Sequence, residues 1–297
     1  MRIAFIGLGN MGLPMAANLL KAGHAVAGFD LVAASVERHV AAGGRAAASV
    51  AEAAGDAEVV ITMLPAGSHV AAVVAEILAA APGKPLLIDS STIDVETARR
   101  LAAQAAGHGV DMLDAPVSGG VGGATAGTLT FMAGGSAAAF ARGLPVLQAM
   151  GRTVVHAGGP GAGQSAKICN NMILGISMIA VSEAFVLADR LGLDRQKLFD
   201  IASTSSGQCW SLTSYCPVPG PVPGSPANRG YLPGFTVALM LKDLLLAQQA
   251  AEATGAATPL GAHAARLYQA LADSGEGGRD FSVTYDYLAD LYRQEAP

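Results

Sequence analysis

The fold of this chain is decided by the stretch Arg2-Ile-Ala-Phe-Ile-Gly-Leu-Gly-Asn-Met-Gly12. An apolar run of strand length leads directly into three glycines with the spacing G-x-G-x-x-G, and a helical pattern follows at Met11–Ala22. In this arrangement Gly7 permits the tight turn, Gly9 lets the backbone approach a phosphate closely, and Gly12 lets the helix pack against the strand. The stretch therefore predicts a parallel-sheet unit that begins with a nucleotide-binding turn.

A second apolar run ends in an acidic residue, Asp30, which follows Gly7 by 23 residues. A carboxylate here can accept hydrogen bonds from both ribose hydroxyls of an adenosine, and it would repel a 2′-phosphate. The pyrophosphate would lie against the amides of the helix N-terminus. The pattern predicts a site for NAD rather than NADP, with a purely structural strand-turn-helix as the alternative. The predicted cofactor residues of the turn are Gly7, Gly9, Asn10, Met11, Gly12 and Asp30.

Short apolar runs alternate with alanine-rich helical patterns up to about residue 160. Strands that alternate with helices are typical of a parallel, doubly wound sheet, and nearly all-apolar strands indicate that both sheet faces are covered. The predicted strands are Arg2–Ile6, Ala25–Asp30, Glu58–Leu64, Pro85–Asp89, Val110–Asp114, Leu129–Ala133 and Thr153–His156. The fold class is therefore α/β, with an N-terminal, mainly parallel Rossmann sheet.

Beyond Gly163 only helical patterns follow, which predicts a dinucleotide-binding domain at residues 1–161 and an all-helical domain at residues 162–297. A long helix begins the second domain. One proline-rich stretch, Cys216–Pro226, cannot be helical. It is interpreted either as a linker or as a binding loop, and the aromatic residues on both sides of it favour the binding loop.

Two more strand ends point to the cofactor crevice, because ligands of such sheets bind beyond the carboxyl ends of the strands. Leu64 and Pro65 end one strand, where their backbone could line the cofactor. Thr92 follows the next strand and is expected to contact the nicotinamide side, although helix capping also explains hydroxyls in this segment.

The glycine-rich stretch Asp114–Ala124 comes just after another strand end. A serine beside paired glycines lets backbone amides approach an anion closely. The stretch is interpreted as a carboxylate-binding loop, and a flexible linker is the alternative.

Lys167 lies in the stretch Gly161–Asn171, at the start of a long apolar helical run. A buried ammonium without a partner costs several kcal/mol, so a lysine in this place is expected to have a chemical task. Asn171 follows it by four residues and shares its helical face. The pair predicts a proton-transfer site.

Lys242 and Asp243 form the only charged pair in a second apolar helical run. A solvated helix face explains many such pairs, but the apolar surroundings make a role in the site a competing interpretation.

Composition narrows the function classes. The net charge of −5 offers no electrostatic footprint for nucleic acid or for an anionic membrane. The three cysteines lack the spacing of metal ligands or disulfides, so neither a metal site nor a disulfide framework is expected. A cytoplasmic location is expected. The apolar run Ile173–Leu187 contains Glu183, so a buried core helix is expected rather than a membrane span.

Four of these motifs, in this order, resemble those of the β-hydroxyacid dehydrogenases: Gly7–Gly12, Asp114–Gly120, Gly161–Asn171 and Lys242-Asp243. The resemblance covers essentially the whole chain. It implies a Rossmann domain, a long connecting helix and an all-helical domain that forms a homodimer or homotetramer.

By this resemblance, Lys167 is the catalytic lysine and Asn171 orients the substrate. Ser118, Gly119 and Gly120 would bind the substrate carboxylate. Lys242 would bind the cofactor at the cofactor and substrate cleft. Its neighbour Asp243 would take part in substrate binding, and Trp210 would form a wall of the substrate pocket. The stretches Ser205–Ser211, Cys216–Pro226 and Arg279–Leu288 are most similar to those of members that oxidise 3-hydroxyisobutyrate to methylmalonate semialdehyde with NAD, in valine breakdown.

Two alternatives stay open. The first is a reductase of tartronate semialdehyde or succinic semialdehyde that uses the same lysine, against which Asp30 and Trp210 argue. The second is an NAD-binding protein without turnover, against which the joint presence of Lys167, Asn171 and Ser118 argues.

Overall fold

The computed structural model describes residues 1–80 and 83–294, with the side chains described up to residue 291. The chain divides into two compact units, Met1–Lys167 and Ile168–Pro297.

The first unit is built on one sheet of nine strands in the order β3-β2-β1-β4-β5-β6-β8-β7, with β9 paired to β8. The pairings are parallel from β3 through to β6 and between β8 and β9. Strand β8 is antiparallel to β6 and to β7. The strands are β1 (Arg2–Ile6), β2 (Ala25–Phe29), β3 (Arg45–Ala46), β4 (Val59–Thr62), β5 (Leu86–Asp89), β6 (Met112–Asp114), β7 (Val117–Ser118), β8 (Leu129–Gly134) and β9 (Gly151–Gly158).

The helices of this unit cover the sheet on both faces. Strand β1 shows it directly, because Ile3 and Phe5 belong to one buried apolar cluster while Ala4 and Ile6 belong to another. Successive side chains of a strand point to opposite faces, so both faces of β1 are core. The helices are α1 (Gly12–Lys21), α2 (Ala33–Ala41), α3 (Val50–Ala54), α4 (Gly67–Ala80), α5 (Val95–Gly107), α6 (Gly120–Ala126) and α7 (Ala137–Gln148).

The strand order 3-2-1-4-5-6 is that of the Rossmann fold, in which the order reverses beside β1. The predicted α/β class and mainly parallel sheet are confirmed. Two short strands, β3 and β7, were not predicted, because two residues of β structure carry no periodic signal. Several predicted strands are also too long at their ends, as Glu58–Leu64 is for β4.

The second unit is helical, as predicted, and has its own apolar core. Tyr268 is fully buried in a cluster with Met178 and Leu244. The helix that carries Lys167, α8, starts in the first unit and continues into the second. The α-helices from there on are α8 (Ala162–Arg190), α9 (Arg195–Ala202), α10 (Trp210–Thr213), α11 (Val237–Thr254), α12 (Pro259–Asp273) and α13 (Thr284–Gln294).

Helix α8 is, among the described residues, the one helix whose length and composition would suffice to cross a membrane. Half of its most apolar window is buried within the protein. Ile173 and Leu187 nevertheless keep 64% and 60% of their surfaces exposed. The expected buried core helix is therefore found on one face only.

The proline-rich stretch is an anchored loop of the second unit. Cys216 and Val218 are fully buried in an apolar cluster. The Ser225 hydroxyl donates a hydrogen bond to the Cys216 carbonyl, and the Tyr231 hydroxyl donates one to the Pro217 carbonyl at 2.8 Å. These contacts fix the loop against its own unit, which a free linker would not need.

Candidate active site

The glycine turn lies between β1 and α1, where the sequence predicts it. A Cβ atom on Gly7, whose φ is +96°, would lie 2.3 Å from the Met63 carbonyl oxygen. A Cβ atom on Gly12 would lie 1.9 Å from the Gly7 carbonyl oxygen. A Cβ atom on Gly9 would meet nothing within 4 Å. Two of the glycines are thus required by the protein's own packing, whereas Gly9 leaves the space that an approaching phosphate needs.

Asp30 is connected to the same turn by its carboxylate. One oxygen accepts a hydrogen bond from the Leu8 N–H at 2.6 Å, and the other accepts one from the Val32 N–H at 2.8 Å. These bonds hold the carboxylate at the carboxyl end of β2, beside the turn. An adenosine ribose at the turn would meet it there.

A cleft of about 620 Å³ opens next to Asp30. It is lined mainly by apolar side chains, among them Phe29, Leu31, Val36 and Val40. Leu31 keeps 92% of its surface exposed, which is unusual for a leucine and suits the face of a planar base. The sequence analysis did not predict these residues. The apolar residue directly after Asp30, at the end of the second strand, could have indicated them.

The ends of β4 and β5 are joined by side-chain hydrogen bonds. The Leu64 N–H donates to the Ser91 hydroxyl at 2.8 Å, and the Thr62 hydroxyl donates to Asp89 at 2.7 Å. Asp89 is fully buried, and its burial raises the pKa of the carboxyl to about 6. Leu64, Pro65 and Thr92 thus follow neighbouring strands on the carboxyl edge of the sheet, where a cofactor of this fold lies.

The stretch predicted as a carboxylate-binding loop is more ordered than expected. Ser118 pairs with Thr130 of β8, and α6 begins at Gly120. Gly119 and Gly120 have φ angles of +134° and +59°, which only glycine adopts readily. The sequence signal of paired glycines was real, but it marks a strand-to-helix turn rather than a long loop.

The N-terminus of α8 is bound to the sheet through Asp114. Its carboxylate accepts hydrogen bonds from the Gly161 N–H at 2.7 Å and from the Gln164 N–H at 2.9 Å. Burial raises the pKa of this carboxyl. Lys167 follows in the next turn and is 6% exposed. The predicted burial of this lysine is confirmed, and the chain anchors its helix at the carboxyl end of β6.

In the second unit, Asn171 and Asp243 are brought together from α8 and α11. The Asn171 Nδ2 atom donates a hydrogen bond to the Asp243 carboxylate at 2.5 Å, and both side chains are about 2% exposed. The Lys242 ammonium lies 3.4 Å from the same carboxylate. The interpretation of Lys242-Asp243 as a solvated pair is wrong for Asp243, whose carboxylate is buried against the asparagine.

Trp210 lies elsewhere in the second unit, at the first position of the short helix α10. Half of its surface is exposed. Its ring stacks on Tyr215 with centroids 4.8 Å apart, and Tyr215 stacks on Phe281 at 5.4 Å. The Tyr215 hydroxyl donates to the buried Asp280. A rigid aromatic support therefore presents an exposed indole face.

Among the described residues, no group of three or more His, Cys, Asp or Glu side chains could hold a metal ion. The polar groups beside the glycine turn on this edge of the first unit include glycine amides and the Asp30 carboxylate. Such a set fits a dinucleotide.

Comparison with known proteins defines the class. Residues 2–159 match the model of the NAD-binding domain of 6-phosphogluconate dehydrogenase. Residues 161–288 match the model described as NAD-binding of NADP-dependent 3-hydroxyisobutyrate dehydrogenase. The protein is therefore a nicotinamide-dinucleotide-dependent oxidoreductase.

Full-length relatives give the family. A 3-hydroxyisobutyrate dehydrogenase of Pseudomonas aeruginosa is 55% identical, with 98% of each chain covered. An NAD-dependent L-serine dehydrogenase of the same organism is 50% identical, over 95% of this chain and 96% of that one. A solved structure of Mycobacterium tuberculosis 3-hydroxyisobutyrate dehydrogenase with L-serine superposes with a TM-score of 0.93 at 52% identity, covering 96% of this chain and 98% of the other. This chain belongs to the 3-hydroxyisobutyrate dehydrogenase family.

Proposed function

We propose that this protein oxidises 3-hydroxyisobutyrate to methylmalonate semialdehyde with NAD, a step of valine breakdown. The names of its full-length relatives support the substrate class. The observation that carries the proposal is Lys167, a buried lysine on an apolar helix, with Asn171 one turn further along. A base within hydrogen-bond reach can take the hydroxyl proton of a substrate, and an amide four residues along the same helix face can orient that hydroxyl.

The bound nicotinamide would accept the hydride that leaves the hydroxyl carbon. Lys167, as the neutral amine, takes the hydroxyl proton as the carbonyl forms, and as the ammonium it returns that proton in the reverse direction. Each turnover thus moves one hydride and one proton from the substrate.

Asn171 has its amide orientation fixed by Asp243. A carboxylate can only accept, so the atom facing Asp243 is the amide nitrogen. The amide oxygen accepts from Asn170 at 3.0 Å and has a second lone pair. We propose that this lone pair receives a hydrogen bond from the substrate hydroxyl or from Lys167.

The remaining contacts are assigned by residue type. Ser118, Gly119 and Gly120 would bind the substrate carboxylate through the hydroxyl and the backbone amides. Trp210 would form the wall against the methyl-bearing carbon. Lys242 would lie beside the cofactor.

NAD is proposed as the preferred cofactor because of Asp30. Its carboxylate is held beside the glycine turn and would repel the 2′-phosphate of NADP. A cytoplasmic homodimer or homotetramer is the proposed state of the enzyme. The three cysteines, all free thiols, suit a reducing compartment.

L-serine is the second candidate substrate. A relative at 50% identity carries the name NAD-dependent L-serine dehydrogenase, and L-serine is also a 3-hydroxy acid, with an amino group in place of the methyl group. Reduction of tartronate or succinic semialdehyde is less well supported, since the relatives described above are named for other substrates.

The test is a rate screen of both 3-hydroxyisobutyrate enantiomers, L-serine, D-glycerate and 4-hydroxybutyrate, with NAD and NADP in parallel. We expect the highest kcat/KM for one enantiomer of 3-hydroxyisobutyrate with NAD. A preference for D-glycerate with NADP would contradict the substrate assignment. Absence of NADH formation with every hydroxy acid would support the binding protein without turnover.

A further inference from the structure

The first turn of α8 contains a buried glutamine, Gln164, to which the proposed mechanism gives no role. Gln164 is fully buried. Its Nε2 atom donates a hydrogen bond to the Ser91 carbonyl at 2.7 Å, and its Oε1 atom accepts one from the Ile93 N–H at 3.2 Å. These two backbone groups flank Thr92. One side chain therefore holds both sides of a residue assigned to the cofactor site.

The backbone of the glutamine is fixed as well. Its N–H donates to the Asp114 carboxylate, which also accepts from the Gly161 N–H. A Cβ atom on Gly163 would lie only 2.4 Å from the Asp114 carbonyl oxygen, so the helix start sits directly against the strand end. The amide of Gln164 consequently extends from a fixed base. A change in its hydrogen bonds would move Thr92 relative to the helix.

Lys167 follows Gln164 by three residues on the same helix, which is slightly less than one turn. The segment at Thr92 is held from its other side too, because the Ser91 hydroxyl accepts from the Leu64 N–H and the Ser91 N–H donates to Asp89. Gln164 thus connects the helix of the base with the strand ends that hold the cofactor.

We infer that Gln164 is a positioning residue, which sets Lys167 relative to Thr92 for hydride and proton transfer. This inference rests on the proposed function. The task needs a side chain that donates to a carbonyl and accepts from an N–H at the same time. An amide does both, a protonated carboxyl does both, an ionised carboxylate only accepts, and a thioether does neither usefully.

That difference supplies the test. Gln164→Met and Gln164→Glu are compared with wild type in NAD-dependent oxidation of 3-hydroxyisobutyrate, across pH 5 to 9. At pH 9 we expect both variants to lose about 10- to 100-fold in kcat, with the KM for NAD within about threefold of wild type, since a misplacement of ~1 Å costs rate rather than binding. Toward pH 5 the Gln164→Glu variant should regain rate relative to wild type, whereas Gln164→Met should not.

The charged and ionisable groups near this position are the same in all three proteins. They are Asp89 and Asp114 at the strand ends, Lys167 on the helix, and Arg99 of α5 beside Gly161. The ratio of variant to wild-type rate at each pH therefore isolates the introduced carboxyl. Ser165→Ala is the matched control, since the hydrogen bond that it removes, to the Gly161 carbonyl, stays within the same helical turn.

A primary deuterium isotope effect on kcat, with substrate labelled at the hydroxyl carbon, should be at least as large in the Gln164 variants as in wild type. Equal kcat in all three proteins would overturn the inference, and so would equal losses in both variants at every pH. Thermal unfolding of each variant shows whether it is folded. If wild type itself does not turn over any hydroxy acid, the proposed function has failed instead.

Discussion

Asp30 illustrates at the scale of one residue how a side chain prepares a binding site before the ligand arrives. Its two carboxylate oxygens accept hydrogen bonds from the backbone on either side, at Leu8 and Val32. In this fold an acidic residue at the end of the second strand binds the adenosine ribose. We propose that this carboxylate also favours NAD over NADP.

Replacing this carboxylate tests that choice. In Asp30→Ala we expect the KM for NAD to rise about 10- to 100-fold, because a charge-assisted hydrogen bond contributes roughly 1.5–3 kcal/mol. The KM for NADP should change less, so the ratio of kcat/KM for NAD to that for NADP falls. Asp56→Ala, which removes an exposed carboxylate from the same unit, should leave the ratio unchanged. An unaltered ratio in Asp30→Ala would refute the assignment.

The buried carboxyl of Asp89 is expected to make the free energy of unfolding depend on pH. Burial raises the pKa of this carboxyl to about 6, from an ordinary value near 3.8. The folded state therefore binds the Asp89 proton more tightly than the unfolded state. This difference stabilises the folded state fully below about pH 4, and the stabilisation is lost as pH rises through about 6. A shift of this size corresponds to about 3 kcal/mol.

The variant Asp89→Asn lacks this titration. Between pH 4 and pH 8, its free energy of unfolding should gain on that of wild type by up to ~3 kcal/mol, measured by urea denaturation at each pH. Other titrating groups cancel in the difference. If the difference in the free energy of unfolding between the two proteins did not change with pH, the pKa of Asp89 would not be raised in the folded state.

At the scale of an element, helix α8 depends on the close approach of its first turn to the sheet. A Cβ atom on Gly163 would lie 2.2 Å from the Met132 carbonyl oxygen and 2.4 Å from that of Asp114. Both obstacles are backbone, so neither can rotate away. Glycine is needed at position 163 because there is no room for a side chain, and not because the backbone is left-handed.

Gly163→Ala should therefore lower the free energy of unfolding by about 1–3 kcal/mol, the range for overpacked interior positions. Gly159→Ala is the control, since a Cβ atom there would meet nothing within 4 Å. Thermal or urea unfolding of the two variants compares them directly. Equal stability of both would mean that the helix start tolerates a displacement from the sheet.

Elements were predictable where a long periodic signal existed. The predicted start and end of β1 match the structure, and the long helix predicted at the start of the second domain is found as α8. The short strands β3 and β7 were missed because two residues show no period, and α6 was interpreted as a loop because three of its first four residues are glycine. Glycine lowers helix propensity by about 1 kcal/mol, and tertiary contacts override it here.

At the scale of the whole molecule, the sequence identified most of the candidate site but not what holds it in place. Lys167, Asn171 and Asp243 stood out as polar residues in apolar helices, and the structure shows all three buried. The roles of Gln164 and Asp114 were not foreseen, because a hydrogen bond between residues about 50 or 70 positions apart leaves no local pattern. Leu31 was missed for another reason, since a sequence does not show whether a single leucine is buried or exposed.

We expect the exchange of the hydroxyl proton of a 3-hydroxy acid to depend on Lys167, and the turnover of Lys167→Ala tests this role. Kinetics of NADH formation from 3-hydroxyisobutyrate should show kcat lowered by about 10²- to 10⁴-fold, with the Kd for NAD unchanged by calorimetry. Lys197→Ala, which removes an exposed lysine of α9, should match wild type in both. Turnover of Lys167→Ala at the wild-type rate would show that Lys167 does not exchange this proton.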